Sequence, residues 1–125
     1  MKSITKCYLI FFTLSVSLPA FSQAPFVTTW QTDNPGTSCN SCITIPTYPW
    51  ETYSYDVDWN NDGVYDELGI TSTVTHDFGV AGTYTIALRG DFPRIFFNNG
   101  GDEAKLIQIN QWGDIEWTSM GYSFT

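Results

Sequence analysis

Basic residues are scarce. The chain holds 13 Asp and Glu against 5 Lys and Arg, and two of those five, Lys2 and Lys6, stand at its start. From Gln23 onward only Arg89, Arg94 and Lys105 oppose the thirteen acids, a formal charge of −10. Nucleic acid and anionic membrane surfaces are bound through basic patches, so this balance argues against both and suits cation binding. Histidine is scarcer still, for His76 stands alone. A single imidazole has no second to pair with, and no Ser or Cys nucleophile has a recognisable setting, so the sequence offers no catalytic constellation. Sharing strand parity with Val74 and Phe78, His76 reads as a half-buried structural residue. No stretch has a helical period, and only one apolar run occurs.

That run, CYLIFFTLSVSL from Cys7 to Leu18, lies behind Lys2 and Lys6 and ahead of Pro19-Ala20-Phe21-Ser22. A positive start, an apolar core and small residues at the cleavage positions predict a secretory signal over residues 1–22. The run is short of the ~20 residues of a membrane span, so a cleaved leader is expected rather than an anchor, and the protein is expected to be secreted or at the cell surface. Cysteine is nearly absent from the remainder. Cys39 and Cys42 form a lone C-x-x-C pair with no second pair to complete a zinc site, and Ile43-Thr44-Ile45-Pro46 follows where an oxidoreductase would start a helix. In an exported chain the pair reads as a local disulfide with little loop entropy to remove.

What is present is β-rich. Residues 83–89 (TYTIALR) alternate cleanly, with Tyr84, Ile86 and Leu88 on one side. Further strands are predicted at 23–30, 43–45, 53–59, 70–78, 92–97 and 106–112, separated by turn-forming Gly, Asn, Asp and Pro. Short strands at this spacing indicate a single all-β domain, an antiparallel β-sandwich. Trp30, Trp59 and Tyr84 are expected in its core. The carboxylate pairs Asp56/Asp58 and Asp114/Glu116 sit two residues apart and read as solvated strand faces, since glycoside hydrolysis needs carboxyls across a cleft.

Residues 53–67 organise the chain. Tyr53, Tyr55, Val57 and Trp59 alternate with short polar residues, after which the sequence turns acidic at Asn60-Asn61-Asp62-Gly63. Asp58-x-Asn60-x-Asp62-Gly63-x-x-Asp66 has the spacing of a short calcium loop. The side chains of Asp58, Asn60, Asp62 and Asp66 and the Val64 carbonyl would supply oxygens, and Gly63 the bend. Gly69 stands where an EF-hand carries its bidentate Glu, so the expected affinity is that of extracellular modules, ~10⁻⁴ to 10⁻³ M. Asp62-Gly63 is equally a favoured hairpin turn. The sequence leaves both readings open.

Tyr55-Asp56-Val57-Asp58-Trp59-Asn60-Asn61-Asp62-Gly63, His76-Asp77-Phe78 and Ala81-Gly82-Thr83-Tyr84-Thr85-Ile86 together resemble a PKD-type domain, an immunoglobulin-like sandwich of exported bacterial proteins. The resemblance covers about Pro25 to Gly90, so a PKD-like sandwich is expected over residues 23–90, and it implies that the strand ending at Trp59 is central. Residues 90–99, then Lys105-Leu106-Ile107 and residues 111–120 with their W-T-S-M step, resemble the segment by which BspA-like surface proteins pass into leucine-rich repeats. Residues 91–125 are thus expected to add strands and a connector; no run of repeats follows. The resemblance implies a non-catalytic adhesion or interaction module whose partner is a protein or glycan at a cell surface. The alternative is a small carbohydrate-binding module accompanying a secreted hydrolase. For that reading Trp50, Trp112 and Trp117 are the candidate stacking residues; Trp112 and Trp117 are equally explained as surface that a following domain would cover.

Overall fold

The computed structural model describes residues 23–124, so the expected leader lies outside the described residues. In chain order the strands are β1 (Phe26–Gln31), β2 (Cys42–Ile45), β3 (Ser54–Asp58), β4 (Glu67–Ile70), β5 (Val74–Asp77), β6 (Thr83–Asp91) and β7 (Leu106–Gln111). One 3-10 turn, Glu103–Lys105, precedes β7. All pairings are antiparallel. Five strands form one sheet in the order β4-β3-β6-β1-β7, and β2 and β5 form a second. The all-β expectation is met. Among the described residues no helix is long and apolar enough to cross a membrane.

Alternation explains the layers. Along β3, Tyr55 and Val57 turn inward, and Ile86 and Leu88 do the same on β6. They meet Phe26 and Trp30 from β1 and Ile43 and Ile45 from β2, so the two sheets close over one core. Each large apolar side chain fully buried there contributes about 1.5–3 kcal/mol. The longest strand, β6, lies in the middle of the larger sheet; β3, expected to be central, is second from its edge. The edge side of β3 is taken by β4.

Two expected strands came out differently. Residues 70–78 do not form one strand: Ile70 ends β4 in the larger sheet, and Val74 begins β5 in the smaller. The corner between them is Thr71-Ser72-Thr73, where the Ser72 carbonyl accepts the Tyr55 hydroxyl at 2.7 Å and the Thr73 hydroxyl accepts the Thr47 amide at 3.0 Å. Short polar residues whose groups are bonded locally let the chain cross between layers. Residues 92–97 form no strand, although Phe92, Ile95 and Phe97 are buried. Pro93 has no amide to give a ladder. The carbonyls are satisfied irregularly instead. Pro93 accepts the Thr118 amide at 2.9 Å, Arg94 the Tyr53 hydroxyl at 2.6 Å, and Ile95 the Ser123 hydroxyl at 2.6 Å.

The stretch after Asp91 is therefore part of the same body. β7 pairs with β1, and Phe92, Ile95, Phe97 and Ile115 enter the shared core. Gly113 makes the close approach that seats this return. Its φ is +68°, and a Cβ there would overlap the carbonyl oxygens of Ala24 and Pro25.

Candidate functional site

The acidic turn grows directly out of β3. Asp58, expected on a solvated face, is only 1% exposed. Its Oδ2 accepts the Gly63 amide at 2.8 Å, and its Oδ1 accepts the amides of Asn60 and Asp62 at 3.3 Å each. The turn is thus wound around one carboxylate, an arrangement of main-chain N–H groups that stabilises an anion without a metal. Gly63 (φ +88°) and Asn61 (φ +52°) supply the left-handed bends. Asp62 Oδ1 accepts the Val64 amide at 2.9 Å, and Asp66 Oδ2 the Trp59 amide at 2.8 Å. Glu67 accepts the Trp59 indole N–H at 3.1 Å.

This geometry bears on calcium. One ion at 2.3–2.6 Å from each donor draws its oxygens to within about 5 Å of one another. Among the described residues, the one trio of His, Cys, Asp or Glu whose ligating atoms lie within 4.8 Å is Cys39, Cys42 and Asp77. Asp58, Asp62 and Asp66 do not converge in that way. Asn60, Asp62, Val64 and Asp66 are all exposed, so the side-chain oxygens have room to draw together. As folded, the turn is closed by its own amides.

Cys39 and Cys42 are joined in a disulfide, so the trio with Asp77 offers no thiolate to a metal. Asp77 instead accepts the Ser41 hydroxyl at 2.6 Å and the Gly79 amide at 2.8 Å, and these bonds hold its carboxyl below the usual range.

Beneath the disulfide loop lies an arrangement that sequence patterns did not reveal. Lys105 has no exposed surface. Its ammonium donates to the carbonyls of Ser38, Cys39 and Cys42 at 3.2, 2.8 and 3.1 Å and to the Ser38 hydroxyl at 2.9 Å. Asp102, also buried, accepts the Ser38 hydroxyl and the amides of Thr37, Ser38 and Thr44 at 2.9, 3.0 and 2.8 Å. Burial pushes the Asp102 carboxyl up; the bonds from Ser38 and Thr44 and the charge of Lys105 outweigh it and leave the carboxyl below its ordinary value. Every partner belongs to the loop or to β2, so the cluster is a fastener. The only available signal was that Lys105 is the sole lysine after residue 6.

The three candidate tryptophans do not form a platform. Trp50 is 83% exposed in a turn and makes no aromatic contact with the other two. Trp112 and Trp117 meet edge to face, 5.9 Å between centroids at 84°, and both pack on Phe26. Trp112 is 48% exposed and continues into an apolar surface through Phe124, 6.4 Å away. Tyr122 and Met120 are exposed on the same closing segment.

Compared with protein-family models, with curated proteins and with solved structures, the chain matches none. Function has to be read from the surface itself. A cleft of about 460 Å³ places Asp91, Asp114 and Glu116 together with Gln23, Gly90 and Thr118. Asp114 is engaged there in structure, its Oδ2 accepting the Ala24 amide at 2.8 Å. A second cleft, of about 360 Å³, is lined by Trp59, Asn60, Asp66, His76, Phe78 and Tyr84. His76 is half-buried and stacks on Trp59 at 4.3 Å and 9°.

Proposed function

We propose that the chain is a non-catalytic interaction module of a secreted or cell-surface protein, PKD-like in its sandwich and related to the head of BspA-like adhesins. The observation that carries this reading is the exposed apolar surface of the closing segment. Trp112, Met120, Tyr122 and Phe124 are all at least 40% exposed on a body whose net charge is strongly negative. Trp112 adjoins Phe124, and Tyr122 adjoins Phe96; exposed apolar side chains that adjoin on an otherwise well-packed domain mark contact surfaces. The engaged state of the chemistry-bearing groups supports it from the other side. Asp58, Asp102 and Lys105 are spent on main-chain groups, and the two cysteines on each other.

Calcium enters this proposal only as a weak ligand of the acidic turn. Asp58, Asn60, Asp62, Asp66 and the Val64 carbonyl would hold it, and drawing three carboxylates together is work the ion must do, which keeps affinity low. Its role would be to stiffen a hairpin.

The test is binding of the purified protein to immobilised extracellular-matrix proteins and to a glycan array. Saturable binding to a matrix protein, lost in Tyr122→Ala/Phe124→Ala at unchanged melting temperature, is expected. Saturable glycan binding abolished by Trp50→Ala or Trp112→Ala would replace this reading with the carbohydrate-binding one. Turnover of a substrate would overturn both.

A further inference from the structure

We infer that the aromatic corner formed by Trp59, His76, Phe78 and Tyr84 is a binding site for an organic cation of the trimethylammonium type. The corner is built from two stacked pairs. Trp59 lies on His76 at 4.3 Å and 9°, and Phe78 lies on Tyr84 at 3.9 Å and 10°. The pairs stand at right angles, for Phe78 is tilted 87° to Trp59 and 83° to His76. Trp59 is buried in the core, and His76, Phe78 and Tyr84 are half-buried; all four line the cleft of about 360 Å³.

The remaining lining is Asn60 and Asp66, both exposed. Asp66 gives Oδ2 to the Trp59 amide, and no described residue donates to its Oδ1. Aromatic rings attract a cation through their faces, and a neighbouring carboxylate adds charge of the right sign. His76, itself a wall, is the one base at the cleft; no Lys or Arg of the described chain competes for the place. Lys105 is buried under the disulfide loop, Arg89 lies on Asp56 and Tyr65, and Arg94 lies over Tyr48 and Phe96.

The charge excludes an anion, and the right-angled walls do not form the flat platform on which a sugar stacks. Among cations the rings favour a weakly hydrated one, since an ammonium must give up strong bonds to water for contacts that offer few hydrogen-bond acceptors. A trimethylammonium head presents methyl groups to the rings and carries its charge toward Asp66. The same head occurs in free choline-like solutes and in phosphocholine lipids. This inference stands apart from the interaction surface at the closing segment, and either can fail without the other; because it shares Asn60 and Asp66 with the acidic turn, the titration is run in chelator.

The experiment titrates the whole protein with choline and with its neutral isostere 3,3-dimethylbutan-1-ol, reading tryptophan fluorescence and the His76 imidazole resonances. Saturable choline binding with a Kd on the order of millimolar is expected, with the isostere about tenfold weaker or more. Asp66→Asn, which keeps an acceptor for the Trp59 amide, should weaken choline about tenfold, and Tyr84→Leu should do the same when titrated below its melting temperature, which falls with the loss of the hydroxyl bond to the Val80 carbonyl. Co-sedimentation with phosphatidylcholine vesicles would assign the lipid head as the source; choline binding without it would assign the free solute. Equal binding of choline and the isostere overturns the inference. So does no binding at 100-fold the expected Kd, or binding indifferent to both substitutions.

Discussion

Lys105 donates its buried ammonium to the main-chain oxygens of both disulfide partners, Cys39 at 2.8 Å and Cys42 at 3.1 Å. The 3-10 turn ahead of β7 and the loop ahead of β2 are thereby tied together across more than sixty residues of chain. Half-buried Ser38 carries the link on to Asp102, so buried cation, hydroxyl and buried carboxylate form one unit.

Removing the cation should be costly. Lys105→Met leaves three carbonyls without their donor and Asp102 without its counter-charge, and is expected to cost about 3–5 kcal/mol in urea unfolding. Replacing the disulfide by Cys39→Ser/Cys42→Ser removes about 2 kcal/mol of loop-closure entropy on the chain-entropy account. Because Lys105 grips that same loop, the two losses should not add, with an interaction of about 0.5–3 kcal/mol in the double-mutant cycle. Additive losses would show that the disulfide and the lysine act independently.

Acid should weaken the fold through Asp102 and Asp56. Burial raises both carboxyls, but Ser38, Thr44 and Lys105 at Asp102, and Arg89 and the Gly69 amide at Asp56, bring the folded values below the ordinary one. A folded value below the unfolded value of about 3.9 binds fewer protons in the native state, so the stabilisation is present above that pH and is lost as pH falls through the folded values. Urea midpoints should be flat from pH 7 to about 5 and fall below about pH 4. Asp102→Asn should be less stable at pH 7 and lose less on acidification; an unchanged acid slope would remove Asp102 as a cause.

Three glycines should separate space from backbone strain. A Cβ at Gly36 would meet Asp102 Oδ1 and the Lys105 side chain, one at Gly113 would meet the Ala24 and Pro25 carbonyl oxygens, and one at Gly63 would meet nothing within 4 Å. Gly63→Ala is expected to cost only the positive-φ strain of about 1 kcal/mol. Gly113→Ala adds a backbone overlap to that strain and should exceed it by about 1–3 kcal/mol. Gly36→Ala should fall between them. Thermal melts of the three variants give the order.

Calcium is tested by melting the protein with a few millimolar of the ion and with chelator. An ion at ten times its Kd adds about 1.4 kcal/mol, enough to part the curves by several degrees. Asp62→Ala should close the gap, since its side chain is exposed and its loss leaves the amide nest of Asp58 intact. Coincident curves would make the turn a hairpin closed by its own amides on Asp58, Asp62 and Asp66.

Much of the fold was legible because alternation is a local property. The strands around Val57 and Ile86 could be read from their apolar parity, and the break at Asp62-Gly63 from its turn chemistry. Residues 92–97 show where local reading stopped. Their apolar spacing is that of a strand, yet Pro93 and donors arriving from Tyr53, Thr118 and Ser123 turn them into a strap. Asp58 failed for the same reason, since strand parity with Asp56 said nothing about the amides that would fold over it.

By itself, then, the sequence determined an acidic all-β domain, its turns and most of its core, because composition and period two are carried by neighbouring residues. Only the tertiary structure decided that Lys105 would be buried under Cys39 and Cys42, that Trp50 would stand apart from Trp112 and Trp117, and that Trp59, His76, Phe78 and Tyr84 would form one corner. The tie from Lys105 to Cys39 and Cys42 and the stack of Trp59 on His76 join residues from separate elements, and their geometry is set by how the two sheets close.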